Sequence, residues 1–179
     1  MSNKLPSREQ AIEILRINQC SDKVIKHCEA VAALALEIAS KLEEKGLKID
    51  SKLVETGALL HDLGRSKTHT VDHAIIGAKI AETAGLPQPV ISIIKRHVGA
   101  GITAEEAKWL GWAKDIYVPL TLEEKIVSYA DKLIESSNRI PIEVTIKQLC
   151  MEQKTDAAER VRKLHEEITN LLGTKPWQP

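Results

Sequence analysis

Phenylalanine is absent from the chain, and aromatic residues make up only 3% of its 179 residues. A core built without them rests on Leu, Ile, Val and Ala, a composition that suits packed helices. The three cysteines, Cys20, Cys28 and Cys150, form no CxxC pair and leave an odd count, which argues against a disulfide framework. Neither sign of charge is in excess, because Lys plus Arg and Asp plus Glu each total 25. No global field therefore draws the chain to nucleic acid or to an anionic membrane. Apolar runs fall far short of a membrane span, and the polar start MSNKLPSREQ lacks the apolar centre of a signal peptide. The expectation is a soluble, cytoplasmic protein. No repeat, low-complexity tract or Pro/Gly/Ser-rich linker interrupts the chain, so residues 1–179 are read as one domain.

Helix punctuation is plentiful. Ser7 with Gln10 has the form of a capping box and opens a helix through residue 17. Ser21 caps a long helix ending at Gly46, and Asp50 or Ser51 starts a third that stops at His61-Asp62-Leu63-Gly64. Asp72 is the expected cap of a fourth helix, Pro87 begins a short fifth ending around His97, and Gly99 and Gly101 break the chain. Thr103 with Glu106 and Thr121 with Glu124 form two more capping-box pairs. The second opens a helix expected to run to about Asn138, before Pro141. Residues 111–120 read as a loop, residues 143–152 as a short helix, and Thr155 to Leu172 as an amphipathic one. The tail TKPWQP is expected to be loose. No segment alternates apolar and polar residues between hairpin turns, so the expected class is all-α with no sheet.

One constellation carries chemistry. His27 lies near the apolar stripe of the second helix, His61-Asp62 ends the third, and Asp131 sits on a later helix after Ile126-Val127-Ser128-Tyr129-Ala130. Imidazole and carboxylate together make a borderline N/O site suited to Mn, Fe, Co, Ni or Zn, with Mg also possible. Carboxylates set in apolar walls are costly to bury without a partner, and a cation supplies one. A helix bundle is a rigid frame for such a cluster.

The pattern His27, His61-Asp62 and Asp131, with HDLGR at 61–65, resembles the HD superfamily of metal-dependent phosphohydrolases over residues 21–138. The resemblance implies an all-helical HD-domain bundle, with helices at 143–172 packed on the motif-bearing core. It implies a metal tetrad of His27, His61, Asp62 and Asp131, and a basic residue, Arg65, that contacts phosphate. Arg65 keeps the charge of the lysine found in many such hydrolases but presents a bidentate fork and does not transfer protons. His73 and His97 stand where two-metal members place further ligands. Asp62 then bridges two ions roughly 3.5 to 4 Å apart that clamp an in-line displacement. Without a second ion, the two histidines sit at a helix start and a helix end, with the helix dipole acting on them.

The function implied is hydrolysis of a phosphoanhydride or phosphodiester in a small nucleotide-like substrate by attack of metal-bound water, with Asp62 and Arg65 catalytic. Lys67 and Arg96 are further candidates for substrate contact. His69 is expected in a loop, where a substrate-facing role outweighs a ligand role, and His165 has no partner pattern. Trp109 and Trp112, three apart on one helix face, are expected to pack in the core, with a rim that stacks on a base as the other reading. Competing functions are a di-iron HD-type oxygenase and a non-catalytic metal or nucleotide sensor.

Overall fold

The computed structural model describes residues 4–173, so the tail at 174–179 lies outside the described residues. The chain forms α1 (Arg8–Ile17), α2 (Asp22–Glu44), α3 (Ser51–Leu60), α4 (His73–Thr83) and α5 (Gln88–Arg96). After these come α6 (Ala104–Trp109), α7 (Leu122–Lys132), α8 (Ile142–Met151) and α9 (Thr155–Leu172). Short 3-10 turns at Leu63–Ser66 and Val98–Ala100 follow α3 and α5. The fold is all-α, as its composition leads one to expect.

Local chemistry sets most boundaries. The capping boxes at Ser7/Gln10 and Thr103/Glu106 are both formed, each satisfying main-chain donors at a helix start. Ser21 and Asp50 accept from Val24 and Leu53 amides and so cap α2 and α3. Thr121 caps α7 through the Glu124 amide, but no reciprocal bond completes that box. The Glu124 carboxylate instead accepts from the Leu120 amide at 2.6 Å and from Arg96 Nη1 at 2.7 Å. Asp72 stands at the start of α4 without capping it. Its Oδ1 accepts from the Trp112 indole at 2.7 Å, which ties the 111–120 loop to α4.

A second departure concerns the end of α7. The helix stops at Lys132, six residues before Asn138, and a minimal antiparallel hairpin follows, β1 (Ile134–Glu135) pairing with β2 (Asn138–Arg139). Ser136 turns the chain between the two strands with φ +58°, a left-handed conformation. Strands of two residues are too short to show alternation in a sequence.

A continuous apolar core runs from Ala11 and Leu15 of α1, through Leu34, Ile38, Leu59 and Ile126, to Val161 and Ile168 of α9. The long α2 packs on α3 and α7, and α9 packs on α7 and on the turn after His97. The turn after Asp62 presses directly on α4: a Cβ added to Gly64 would meet the His73 carbonyl oxygen at 2.0 Å and the Gly77 nitrogen at 2.7 Å. Glycine at both positions allows the two backbones to touch, and this contact brings the start of α4 beside the end of α3. Trp112 is buried in a smaller cluster with Tyr117, Ala74 and Ile102. Trp109 is 87% exposed, against the expectation that both indoles pack, because α6 ends at Trp109 and the two rings no longer share a helix face. None of the described helices is long and apolar enough to cross a membrane.

Candidate metal centre

Six side chains converge at the junction of α2, α3, α4, α5 and α7. His27 comes from α2, His61 and Asp62 follow the last residue of α3, His73 opens α4, His97 follows α5, and Asp131 lies near the end of α7. Asp62 stands at the middle. Its Oδ2 faces His61 Nε2 at 3.8 Å and His27 Nε2 at 4.0 Å, while its Oδ1 faces His73 Nε2 at 3.1 Å and His97 Nε2 at 3.6 Å. Asp131 Oδ1 completes the first group, 3.0 Å from His27 Nε2 and 3.4 Å from His61 Nε2.

The four imidazoles are oriented by the same device. Each places Nδ1 on a main-chain carbonyl: His27 on Ser136 at 2.9 Å, His61 on Ala58 at 2.7 Å, His73 on Thr70 at 2.7 Å and His97 on Ile94 at 2.8 Å. A carbonyl only accepts, so Nδ1 carries the proton in every ring and Nε2 of the neutral ring offers a lone pair. All four lone pairs point at the two carboxylates, which are also acceptors. His61 Nε2 is buried with no hydrogen-bond partner among the described residues. Acceptors facing acceptors in a buried space are stabilised by a cation between them, a second ring proton or a metal ion, and the N/O donor set fits a divalent transition metal. Two ligand groups have the spacing to hold an ion, His27–His61–Asp131 and His61–Asp62–His97.

The electrostatics follow from the same geometry. Burial raises the Asp62 carboxyl, but the His61 charge and the adjacent His73 and His97 rings outweigh it and hold the group well below the usual carboxylate range. Burial also opposes ionisation of Asp131, which Lys132 and the His27 and His61 rings reverse. Burial disfavours charge on His61, yet the neighbouring Asp62 and Cys28 raise it well above its ordinary value. His97, held by burial and by the charges of His61 and His73 against the pull of Asp62, is pushed down to about 4. The cluster therefore keeps both carboxylates ionised and draws positive charge to itself.

A cavity of about 570 Å³ opens beside the cluster, and Arg65, His73 and Lys132 contribute to its lining. Arg65 Nε donates to Asp62 Oδ1 at 3.2 Å and Nη1 to the His69 carbonyl at 2.8 Å, which fixes the guanidinium at the edge of the cavity. His69 is exposed in the loop and lines the same cavity. Lys132, not singled out in the sequence, sits 2.6 Å from Asp131 Oδ2 and also faces the cavity. Its signal is only adjacency to Asp131, which cannot show which way the side chain reaches. Two candidates for substrate contact lie elsewhere. Lys67 is exposed and Arg96 is committed to Glu124 and to the Ile116 carbonyl, and neither lines this cavity. His165 is buried against Tyr129, whose hydroxyl lies 2.8 Å from its Nδ1, and takes no part in the cluster.

Three residues surround the cluster from outside. The Ser136 carbonyl that orients His27 belongs to the hairpin after α7. The buried Ser128 hydroxyl, one turn before Asp131, donates to the His97 carbonyl at 2.9 Å. Cys28, fully buried beside His61, has its thiol pushed up, chiefly by burial.

The family model of the HD domain matches residues 24–135. An uncharacterized protein of Methanocaldococcus jannaschii is 43% identical over 92% of this chain and 98% of its own length. A tRNA (cytidine(56)-2'-O)-methyltransferase of Picrophilus torridus is 43% identical over 94% of this chain, which spans only 48% of that protein. A ribonuclease Y of Acidothermus cellulolyticus is 41% identical over 41% of this chain and 14% of its own length. Among solved structures, the HD domain of the Listeria monocytogenes phosphodiesterase PgpH in complex with cyclic-di-AMP superposes with a TM-score of 0.54 at 19% identity, over 94% of this chain and 98% of that one. HD domains bind divalent metals, and the converging histidines and aspartates could hold one here. The extent of the family match, together with a relative alike over nearly all of both chains, establishes that the protein belongs to the HD domain family.

Proposed function

We propose that this chain is a metal-dependent phosphodiesterase acting on a small nucleotide or oligonucleotide through two ions, one held by His27, His61 and Asp131 and one by His73 and His97, with Asp62 shared between them. The observation that carries the reading is the common orientation of the four imidazoles, each fixed through Nδ1 so that Nε2 faces a carboxylate. Asp62 directs Oδ2 to one pair of rings and Oδ1 to the other, the disposition of a bridging ligand. A diester is favoured over an anhydride because a ribonuclease and a phosphodiesterase HD domain in complex with cyclic-di-AMP are among the similar proteins.

Bound divalent ions supply Lewis acidity to a phosphoryl oxygen and acidity to a coordinated water. The protein's own part is positional. Arg65, held by Asp62 and the His69 carbonyl, offers its remaining N–H groups to phosphate oxygens entering the cavity. Lys132 adds a second positive charge on the Asp131 side, so the anionic phosphate is flanked by cations where charge grows in the displacement. An arginine remains protonated throughout, which confines Arg65 to electrostatic work.

The test is hydrolysis of cyclic and linear dinucleotides, short RNAs and dinucleoside polyphosphates by protein reloaded with Mn, Co, Ni or Mg. Diester cleavage that disappears in His61→Ala and Asp62→Ala proteins supports the reading, and activity unchanged from wild type in both variants sinks it.

A further inference from the structure

The cavity is larger than phosphate recognition requires, and part of its wall has no role in the metal cluster. Gly99 leads from the ligand His97 to Arg160 of α9, its φ of +58° placing the position of a Cβ 4.0 Å from Arg160 Nη2. Arg160 Nη2 donates to Glu106 Oε1 at 3.0 Å, and Glu106 is fixed in turn by the Thr103 amide at 2.7 Å as the capping box of α6. That pair holds the guanidinium in one orientation. Its Nε is buried and has no hydrogen-bond partner among the described residues, although Arg160 lines the cavity. Three residues after Glu106, Trp109 lines the same cavity while 87% exposed.

A large aromatic face left in water is costly, and a ligand that stacks on it while offering an acceptor to the guanidinium in the same wall engages both groups. Its chemistry is a flat, apolar-faced ring that carries a hydrogen-bond acceptor on its edge, which describes a nucleobase. We infer that α6 and α9 form a nucleobase subsite in which Trp109 stacks on the ring and the Arg160 guanidinium donates to its edge, with Glu106 as the positioning residue for Arg160. The subsite rests on the phosphodiesterase reading for its substrate and selects the nucleoside attached to the phosphate held at the ions.

Calorimetric binding of AMP and of ribose 5-phosphate to the metal-loaded protein isolates the base, because the two probes share the phosphorylated sugar. The wild-type protein is expected to prefer AMP by roughly 5- to 100-fold, the range that stacking of one base commonly brings. Trp109→Ala should bring the two affinities together, Trp109→Phe should restore most of the preference, and Arg160→Lys, which keeps the charge beside Glu106 but lacks the planar guanidinium, should reduce it. Equal binding of the two probes by wild type, or a preference untouched in Trp109→Ala and Arg160→Lys, overturns the subsite. Hydrolysis of bis(p-nitrophenyl) phosphate, followed in parallel, reads the chemistry separately. A preserved AMP preference without diester cleavage condemns the phosphodiesterase reading and upholds the subsite, whereas cleavage without base preference does the reverse.

Discussion

His73 Nε2 and His97 Nε2 lie 3.0 Å apart, with each ring's Nδ1 already given to a main-chain carbonyl. Two neutral rings so arranged point lone pair at lone pair. The pair is therefore stabilised by a cation and strained by its removal. Wild-type protein is expected to bind two transition-metal ions per chain, and His73→Ala or His97→Ala to bind one. Elemental analysis after anaerobic purification reads the stoichiometry, and retention of two ions in both variants would refute the assignment.

Ser136 tests the outer contact to His27. Proline there fixes φ near −65° and turns away the carbonyl that now accepts from His27 Nδ1. Ser136→Pro should weaken metal binding by about 10- to 100-fold, the usual cost of losing such a partner. Ser136→Gly, which suits the positive φ, should leave affinity unchanged and raise stability by a few tenths of a kcal/mol up to about 1 kcal/mol. Competition with a chelating dye distinguishes the two.

Gly64→Ala places a methyl group against the His73 carbonyl, where backbone rather than a flexible side chain must yield. The expected cost is about 1–3 kcal/mol or more in urea unfolding, with preferential loss of the ion beside His73.

His97 gives a pH signature in chelator-treated protein. Its folded value of about 4 lies below the ordinary 6.5, chiefly because it is buried. Between these values the unfolded chain binds a proton that the folded chain refuses, so stability should fall as pH drops from 6.5 toward 4. His97→Gln should remove that part of the slope, as urea midpoints across the window would show.

Thiol reactivity follows burial. Burial, with the charges of Cys28 and Asp62, pushes the Cys20 thiol up to about 11, and burial likewise raises Cys28, while Cys150 is exposed. Iodoacetamide at pH 8 should label native protein at Cys150 alone and unfolded protein at all three positions. Mass spectrometry of the adducts decides it.

Helices and their starts were legible because a cap and an apolar stripe are written within a few adjacent residues, as at Ser7/Gln10 and Thr103/Glu106. The six clustered residues were also legible, since histidines and aspartates set in apolar surroundings stand out against a core of aliphatic side chains. What escaped depends on partners distant in the chain. Glu124 reads as a capping-box residue until Arg96 claims it, and Asp72 as a cap until the Trp112 indole reaches it. The hairpin after α7 escaped because its two-residue strands have no periodicity, and with it the Ser136 contact to His27. Arg160 carries no motif at all. Its unpartnered Nε emerges only where α9 meets α6.

Ser128 and Asp131 stand three residues apart on α7, one gripping the backbone at His97 and the other facing His27 and His61. That stretch acts as a common gauge for both halves of the cluster. A displacement of α7 therefore reaches both halves, whereas the seat of His73 depends on α4 and on its contact with Gly64. Variants that loosen α7 should therefore lose affinity for both ions in parallel, while those that unseat α4 should lose them one at a time.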